Sequence, residues 1–254
     1  MMGRGVRRQR GLPNLPESPR YGEITGFAGS FPHWPRAAKG TPSWSKVTRS
    51  GMKRYVAVAG SIGAGKTSLV AWLVKRYGLV PFYEPNEDNP YLSDFYADMR
   101  SWAFQSQCFF LAHKLKLHQQ LAASTRPAVI DRTIYEDAEI FAKNLHAQGY
   151  LSKRDWAVYS ELYAGICRSL RPPDVLIALT CPLRTAKKRI ARRGRENERA
   201  IPDDYLRRLH RLYAQWFERY DLSPIVRIDT GKLDYVEDLV DLLDLMRTLD
   251  AALG

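Results

Sequence analysis

Lys66 and Thr67 close the stretch Gly60-Ser61-Ile62-Gly63-Ala64-Gly65-Lys66-Thr67, a G-x-x-x-x-G-K-[ST] spacing directly behind the apolar run Tyr55–Ala59. Such a loop turns successive backbone N–H groups inward on a polyphosphate, which side chains at the glycine positions would obstruct. Lys66 then reaches the outer phosphates and the Thr67 hydroxyl is placed to ligate Mg²⁺. A helix starting at the same point adds its positive dipole end. Leu69, Val70, Leu73 and Val74 supply the apolar face of that helix, and Gly78 supplies its stop. The chemistry this implies is the binding of a nucleoside triphosphate.

Further charged groups stand where strands end. Glu84 closes a short apolar segment and is followed by Pro85, so its carboxylate is a candidate proton acceptor from a hydroxyl attacking a γ-phosphate. Taken alone it reads equally well as an exposed loop acid or a helix cap. Asp131-Arg132 follows Ala128-Val129-Ile130, the apolar-run-then-Asp pattern of a Mg²⁺-holding carboxylate, with Arg132 beside it to neutralise transferring charge. The stretch Arg189–Arg199 crowds guanidiniums around Gly194, suited to a lid over phosphates or, as plainly, to a solvated basic helix end. Phe95, Tyr96, Trp102, Phe104, Phe109 and Phe110, with Gln105 and Gln107 among them, form an aromatic stripe that reads first as core and second as a base-stacking wall.

The elements that must position these groups alternate strand and helix. Strands are expected at 55–59, 79–83, 128–130, 174–179 and 225–228. Helices are expected at 66–77, from about Ser93 to Leu121, and at 134–145, 153–170, 183–193 and 203–220, with a last one carrying Val236, Leu239, Val240, Leu243 and Met246 on one face. Short apolar strands separated by helices predict an α/β fold, a five-stranded parallel sheet with helices on both faces and ligands at the strands' carboxyl ends. That rule gathers Gly60, Glu84, Asp131 and Thr180.

With 254 residues and 45% apolar composition the chain can bury a substantial core. Cys108, Cys167 and Cys181 lie far apart, which disfavours a disulfide framework or zinc site and fits a reducing, cytoplasmic compartment. No apolar run approaches the roughly 18 residues of a membrane span. The net charge of +12 raises nucleic acid as a partner, but residues 1–51 hold seven Arg and two Lys against Glu17 and Glu23, and so account for +7 of it. Those residues are rich in Pro, Gly, Ser and Arg and are expected to be a disordered basic extension. A targeting segment, or a leader ahead of a start at Met52, are the other readings.

In order along the chain, these motifs resemble the deoxynucleoside kinase family, in its bacterial deoxyadenosine/deoxyguanosine kinase branch. The resemblance rests on the phosphate loop, Glu84-Pro85, Asn89-Pro90-Tyr91-Leu92 with Phe95-Tyr96-Ala97-Asp98, and Trp102-Ala103-Phe104 with Gln107. It continues through Asp131-Arg132-Thr133-Ile134-Tyr135-Glu136-Asp137 and Arg193-Gly194-Arg195 with Glu198 and Ile201-Pro202. It implies a P-loop kinase three-layer sandwich over residues 52–254, with an arginine-rich lid at about 189–200. It implies ATP and Mg²⁺ as cofactors: Gly60 to Thr67 with Arg189, Arg193 and Arg195 holding ATP, and Thr67 and Asp131 holding the metal. Glu84 would activate the deoxyribose 5′-hydroxyl with Arg132 pinning it, although Asp131 is the other candidate proton acceptor. Tyr96 and Glu198 would hold the sugar, and Gln107 and Asp137 the base edge. A homodimer acting on small molecules, away from nucleic acid and membrane, completes the expectation. Two positions depart from it. Lys114 stands where some relatives carry Arg, so base contacts there are expected to differ, and Thr133 stands where Ser often follows the Arg.

Purine acceptors fit a Gln and an Asp at the base edge, with deoxycytidine as the alternative. A nucleoside monophosphate kinase would need a cationic pocket for the acceptor phosphate, which Glu84, Tyr96 and Glu198 oppose. A GTPase switch would need an Asn-Lys-x-Asp tetrapeptide, which the sequence lacks. A basic nucleic-acid-binding protein with incidental ATP binding is the remaining rival.

Overall fold

The computed structural model describes residues 55–83, 89–195, 198, 201–231 and 246–251. Strand β1 (Tyr55–Gly60) is buried along its whole length, and its register partners are β3 (Ala128–Asp131) on one side and β4 (Val175–Thr180) on the other. With β2 (Val80–Phe82) outside β3 and β5 (Ile225–Asp229) outside β4, the order is β2-β3-β1-β4-β5, parallel throughout. Continuous apolar strands are what a sheet covered on both faces requires. From central β1 the chain goes first to one half of the sheet and then to the other, so the crevice where strand order reverses lies at the carboxyl end of β1.

Helix α1 (Lys66–Tyr77) lays Leu69, Val70 and Leu73 on Val56, Val58, Val129 and Ile177, a core that also takes in Leu249 from the helical residues 246–251. Gly78, at φ 66°, ends α1 with its N–H on the Val74 carbonyl. Of the expected final helix, Val236, Leu239, Val240 and Leu243 lie outside the described residues.

The helix expected from Ser93 to Leu121 is two helices, α2 (Leu92–Ala97) and α3 (Met99–Ala123). Asp98 divides them: it leaves helical geometry and its Oδ1 accepts the N–H groups of Arg100 and Ser101, capping α3. After β3 the chain enters α4 (Ile134–Glu136), passes through a π-helical stretch (Asp137–Ala142) and continues as α5 (Lys143–Ala147). Helices α6 (Lys153–Cys167), α7 (Leu183–Arg193) and α8 (Asp203–Arg219) follow close to their expected positions. Among the described residues, no helix is long and apolar enough to cross a membrane, and Cys108, Cys167 and Cys181 are separate thiols.

Candidate active site

The phosphate loop is built against two other elements. Gly63 sits at φ 81°, and a Cβ there would meet the Ala186 carbonyl oxygen of α7 at 2.6 Å, so only glycine allows the loop to lie on that helix. Gly65, at φ 97°, turns the loop into the first residue of α1. The Lys66 ammonium donates to the loop's own carbonyls, Gly60 at 2.9 Å and Ser61 at 3.2 Å. Ala64 donates its N–H to the Ser61 carbonyl, and its own carbonyl accepts the Thr230 hydroxyl at 2.9 Å. Of the eight loop residues, Ile62, Gly63, Lys66 and Thr67 face the crevice.

Asp131, at the end of β3, meets this loop. The Thr67 hydroxyl donates to its Oδ2 at 2.7 Å, while Oδ1 is buried with no hydrogen-bond partner among the described residues. A carboxylate oxygen left unsatisfied in a buried place beside a threonine hydroxyl fits a hard divalent cation that completes its shell with phosphate oxygens and water. Thr67 and Asp131 are the residues that would hold Mg²⁺. The described residues contain no cluster of three or more His, Cys, Asp or Glu that would form an all-protein cage.

Arg132 is the one described non-glycine residue with positive φ, at 66°. Its N–H reaches back to the Val58 carbonyl of β1 at 3.0 Å, and its guanidinium lies 4.4 Å from the centre of the Phe141 ring. Left-handed backbone costs an L-residue about 1–2 kcal/mol. The Lys114 ammonium of α3, fully buried, donates to the carbonyls of Asp131 (3.2 Å) and Arg132 (2.7 Å). A charged hydrogen bond contributes about 1.5–3 kcal/mol, enough to offset that cost. Lys114, the position at which base contacts are expected to differ from those of relatives with Arg, points at the turn and is absent from the crevice lining.

Glu136 holds the other side of the same turn. Fully buried, its Oε2 accepts the Thr133 N–H (2.7 Å) and hydroxyl (3.1 Å), and its Oε1 accepts the Gly60 N–H (3.2 Å) and the Tyr213 hydroxyl of α8 (2.9 Å). Burial pushes its pKa up against the opposing pull of Arg132, the Thr133 N–H, Lys66 and Lys114. The Thr133-x-x-Glu136 capping box is visible in the sequence, but the reach to Gly60 and Tyr213 is not.

Beyond the phosphate loop the crevice deepens between α2, α3, the π-helical stretch and α8. Leu92, Phe95, Phe110, Phe141 and Tyr205 give it apolar walls, with Tyr96, Gln107, Asp137 and Glu198 as polar groups. Gln107 is nearly buried and its Oε1 has no hydrogen-bond partner among the described residues. The aromatic stripe is thus divided. Phe95 is buried core and also lines the crevice, Tyr96 and Phe110 face it, Phe109 stacks on His113 at 4.1 Å, and Trp102 stacks on Tyr91. Tyr205, buried on α8, escaped the sequence reading because nothing local marks a helix tyrosine as a pocket wall.

The lid residues are placed differently from one another. Arg193 and Arg195 line the crevice, where Arg193 grips both carboxylate oxygens of Glu198 (Nε to Oε2 3.1 Å) and Arg195 lies 3.7 Å from Oε1. Arg189 does not line it. Its guanidinium is tied to the Thr230 hydroxyl (3.0 Å) and carbonyl (2.8 Å), at the end of β5. Thr230, unremarked in the sequence, thereby joins α7 to the Ala64 carbonyl of the phosphate loop. Glu84 lies outside the described residues. Asp131, Arg132, Lys66, Thr67, Tyr96, Gln107, Asp137, Arg193, Arg195 and Glu198 are brought to one crevice.

A family model described as deoxynucleoside kinase matches residues 56–253. A deoxyadenosine kinase of Dictyostelium discoideum is 35% identical over 74% of this chain and 77% of its own length. A deoxyadenosine/deoxycytidine kinase of Bacillus subtilis is 35% identical over 72% and 85%, and a deoxyguanosine kinase of Lactobacillus acidophilus 38% over 73% and 85%. Among solved structures, the deoxyadenosine kinase of M. mycoides with bound dCTP superposes with a TM-score of 0.67 at 29% identity, covering 78% of this chain and 99% of that one. The same enzyme with bound dATP gives 0.68 at 28% identity, covering the same shares of the two chains.

Proposed function

The chain belongs to the deoxynucleoside kinase family, and we propose that it transfers the γ-phosphate of ATP to the 5′-hydroxyl of a purine 2′-deoxynucleoside, deoxyadenosine or deoxyguanosine. The observation that carries this reading is the continuity of one crevice, from Lys66, Thr67 and Asp131 at the phosphate end to Gln107 and Asp137 at the apolar-walled end. The names of the relatives, deoxyadenosine and deoxyguanosine kinases, support the purine assignment, and a Gln beside an Asp can pair with either purine edge.

In the reaction, the 5′-oxygen forms a bond to the γ-phosphorus as the bond to the β–γ bridging oxygen breaks and ADP leaves. The hydroxyl proton passes to a carboxylate, for which Glu84 is the candidate and Asp131 the alternative. Thr67 and Asp131 would hold Mg²⁺, which would supply neutralisation of phosphate charge. Lys66 leaves the Gly60 and Ser61 carbonyls for the β- and γ-phosphates, and the part of Arg132 is to pin the acceptor and the proton-accepting carboxylate. Positioning and charge neutralisation supply most of the acceleration for phosphoryl transfer.

Tyr96 and Glu198 hold the 3′-hydroxyl, which requires Glu198 to loosen its grip on Arg193. Arg193 and Arg195 then turn to the phosphates as the lid closes. Arg189 reaches ATP only by leaving Thr230, so its part is to dock α7 until nucleotide arrives. The catalytic domain spans 52–254, with residues 1–51 a basic extension that takes no part in catalysis. The enzyme is a cytoplasmic homodimer, an assignment supported by Val158 and Leu162, 43% and 48% exposed one turn apart on α6, and by its separate thiols. Incubation with Mg-ATP and deoxyadenosine tests the reaction: ADP and the deoxynucleoside 5′-monophosphate should form in equal amounts, and ADP without monophosphate would refute it.

A further inference from the structure

The left-handed Arg132 turn is held from behind by a cation that never reaches the crevice. Lys114 is fully buried on α3, and its ammonium donates to the carbonyls of Asp131 and Arg132, one from each of the two peptide units that meet at the Arg132 Cα. Two carbonyls converge on one point only if the backbone turns sharply between them, which is what φ 66° at Arg132 accomplishes. The turn in turn sends the Asp131 side chain toward Thr67 and the Arg132 guanidinium toward Phe141, into the crevice.

We propose that Lys114 is a positioning residue for phosphoryl transfer: its ammonium fixes the Asp131-Arg132 turn and so aims both side chains at the reacting phosphate, with no contact to the base. The inference rests on the kinase reading above. Arg132 cannot hold this geometry by its own preference, because the left-handed region is unfavourable for any residue with a Cβ. Glu136, which accepts the Thr133 N–H from the opposite side, fixes where the turn ends but not the conformation at residue 132. Of the two, Lys114 alone bridges both peptide units that meet at the Arg132 Cα, whereas Glu136 reaches only the second.

A positioning group of this kind acts on kcat. Replacing Lys114 by Met removes both donors, lets residue 132 relax, and displaces two groups that must meet the phosphate; a shift of about 1 Å costs on the order of a hundred-fold in rate. The acceptor pocket keeps its walls, so KM for each deoxynucleoside and the ranking among them stay near wild type. Lys114→Arg restores a buried cation and should recover part of kcat.

The test measures kcat and KM for deoxyadenosine, deoxyguanosine and deoxycytidine with wild type, Lys114→Met, Lys114→Gln and Lys114→Arg, alongside the fraction folded. The wild-type rates test the kinase reading, and the ratios of variant to wild type test Lys114. A kcat loss of about a hundred-fold, equal for the three acceptors and partly rescued by Arg, is expected. A changed base ranking at unchanged kcat would assign Lys114 to the base, and a lowered melting temperature with wild-type kcat per folded molecule would make it merely structural. Either result overturns the proposal. Lys114→Gln keeps a neutral N–H donor group without the charge and serves if Met prevents folding. A crystal structure of a folded variant decides the matter without any assay: residue 132 is expected to leave the left-handed region, and an unchanged φ overturns the proposal.

Discussion

Gly63→Ala makes a demand on the structure that can be worked out in advance. The new Cβ would sit 2.6 Å from the Ala186 carbonyl oxygen and 3.0 Å from that residue's carbonyl carbon and Cα, all backbone atoms of α7 that cannot rotate aside. The residue would also be held at φ 81°. The left-handed backbone costs about 1–2 kcal/mol, and overpacking that forces backbone shifts about 1–3 kcal/mol, so a loss of about 2–5 kcal/mol is expected if the native geometry is retained. Relief would require the loop and α7 to part, which disturbs the cradle and the docking of the lid helix together. Urea denaturation with and without Mg-ATP measures both effects. The midpoint of the free protein should fall, and the added stability from saturating nucleotide should shrink because affinity falls. A variant with wild-type midpoint and wild-type nucleotide stabilisation would refute the claim that glycine is needed here for contact with α7.

Three other outcomes are expected. Glu84→Gln should lower kcat by at least a hundred-fold, within the range of a lost general base, while Mg-ATP binding measured by calorimetry is retained; near-normal turnover would move proton acceptance to Asp131. His118, buried on α3 with its ring edge-on to Tyr55, has its pKa pushed down to about 4 by burial and then by Lys114. Because the unfolded chain takes up that proton near pH 6.5, the folded form loses stability as pH falls from 6.5 toward 4, by about 2 kcal/mol at pH 5. Relative to wild type, His118→Phe should lack that component in denaturation midpoints compared at pH 7 and pH 5, and parallel pH dependence would refute the assignment. A chain truncated to begin at Met52 should keep its kcat/KM, whereas a folded but inactive truncation would give the basic extension a catalytic part.

The sequence was most legible where a residue's role depends on its immediate neighbours. The phosphate loop, α1 with its Gly78 stop, the apolar strands and the Leu183–Arg193 helix follow from local pattern, and the strand order then fixes which strand ends share the crevice. Asp98 shows a local signal that helical periodicity masked, since an Asp able to cap a helix lay inside a long amphipathic stretch. Lys114, Glu136 and Thr230 were not legible. Their roles arise from contacts such as Glu136 with Gly60 and Tyr213, 76 and 77 residues away, and Thr230 with Ala64, 166 residues away, which no spacing rule connects. Among the lid arginines, composition could not distinguish Arg189, tied to Thr230, from Arg193 and Arg195, which face the crevice.

In the proposed function, one crevice joins a phosphate-transferring end to a pocket for a purine deoxynucleoside. Comparison of kcat/KM for deoxyadenosine, deoxyguanosine, deoxycytidine and thymidine, with Mg-ATP as donor, tests it most directly. The purines should lead, with deoxyadenosine or deoxyguanosine highest. Efficient phosphorylation of thymidine with no turnover of either purine would contradict the assignment of Gln107 and Asp137 to a purine edge, and no turnover of any acceptor would contradict the claim as a whole.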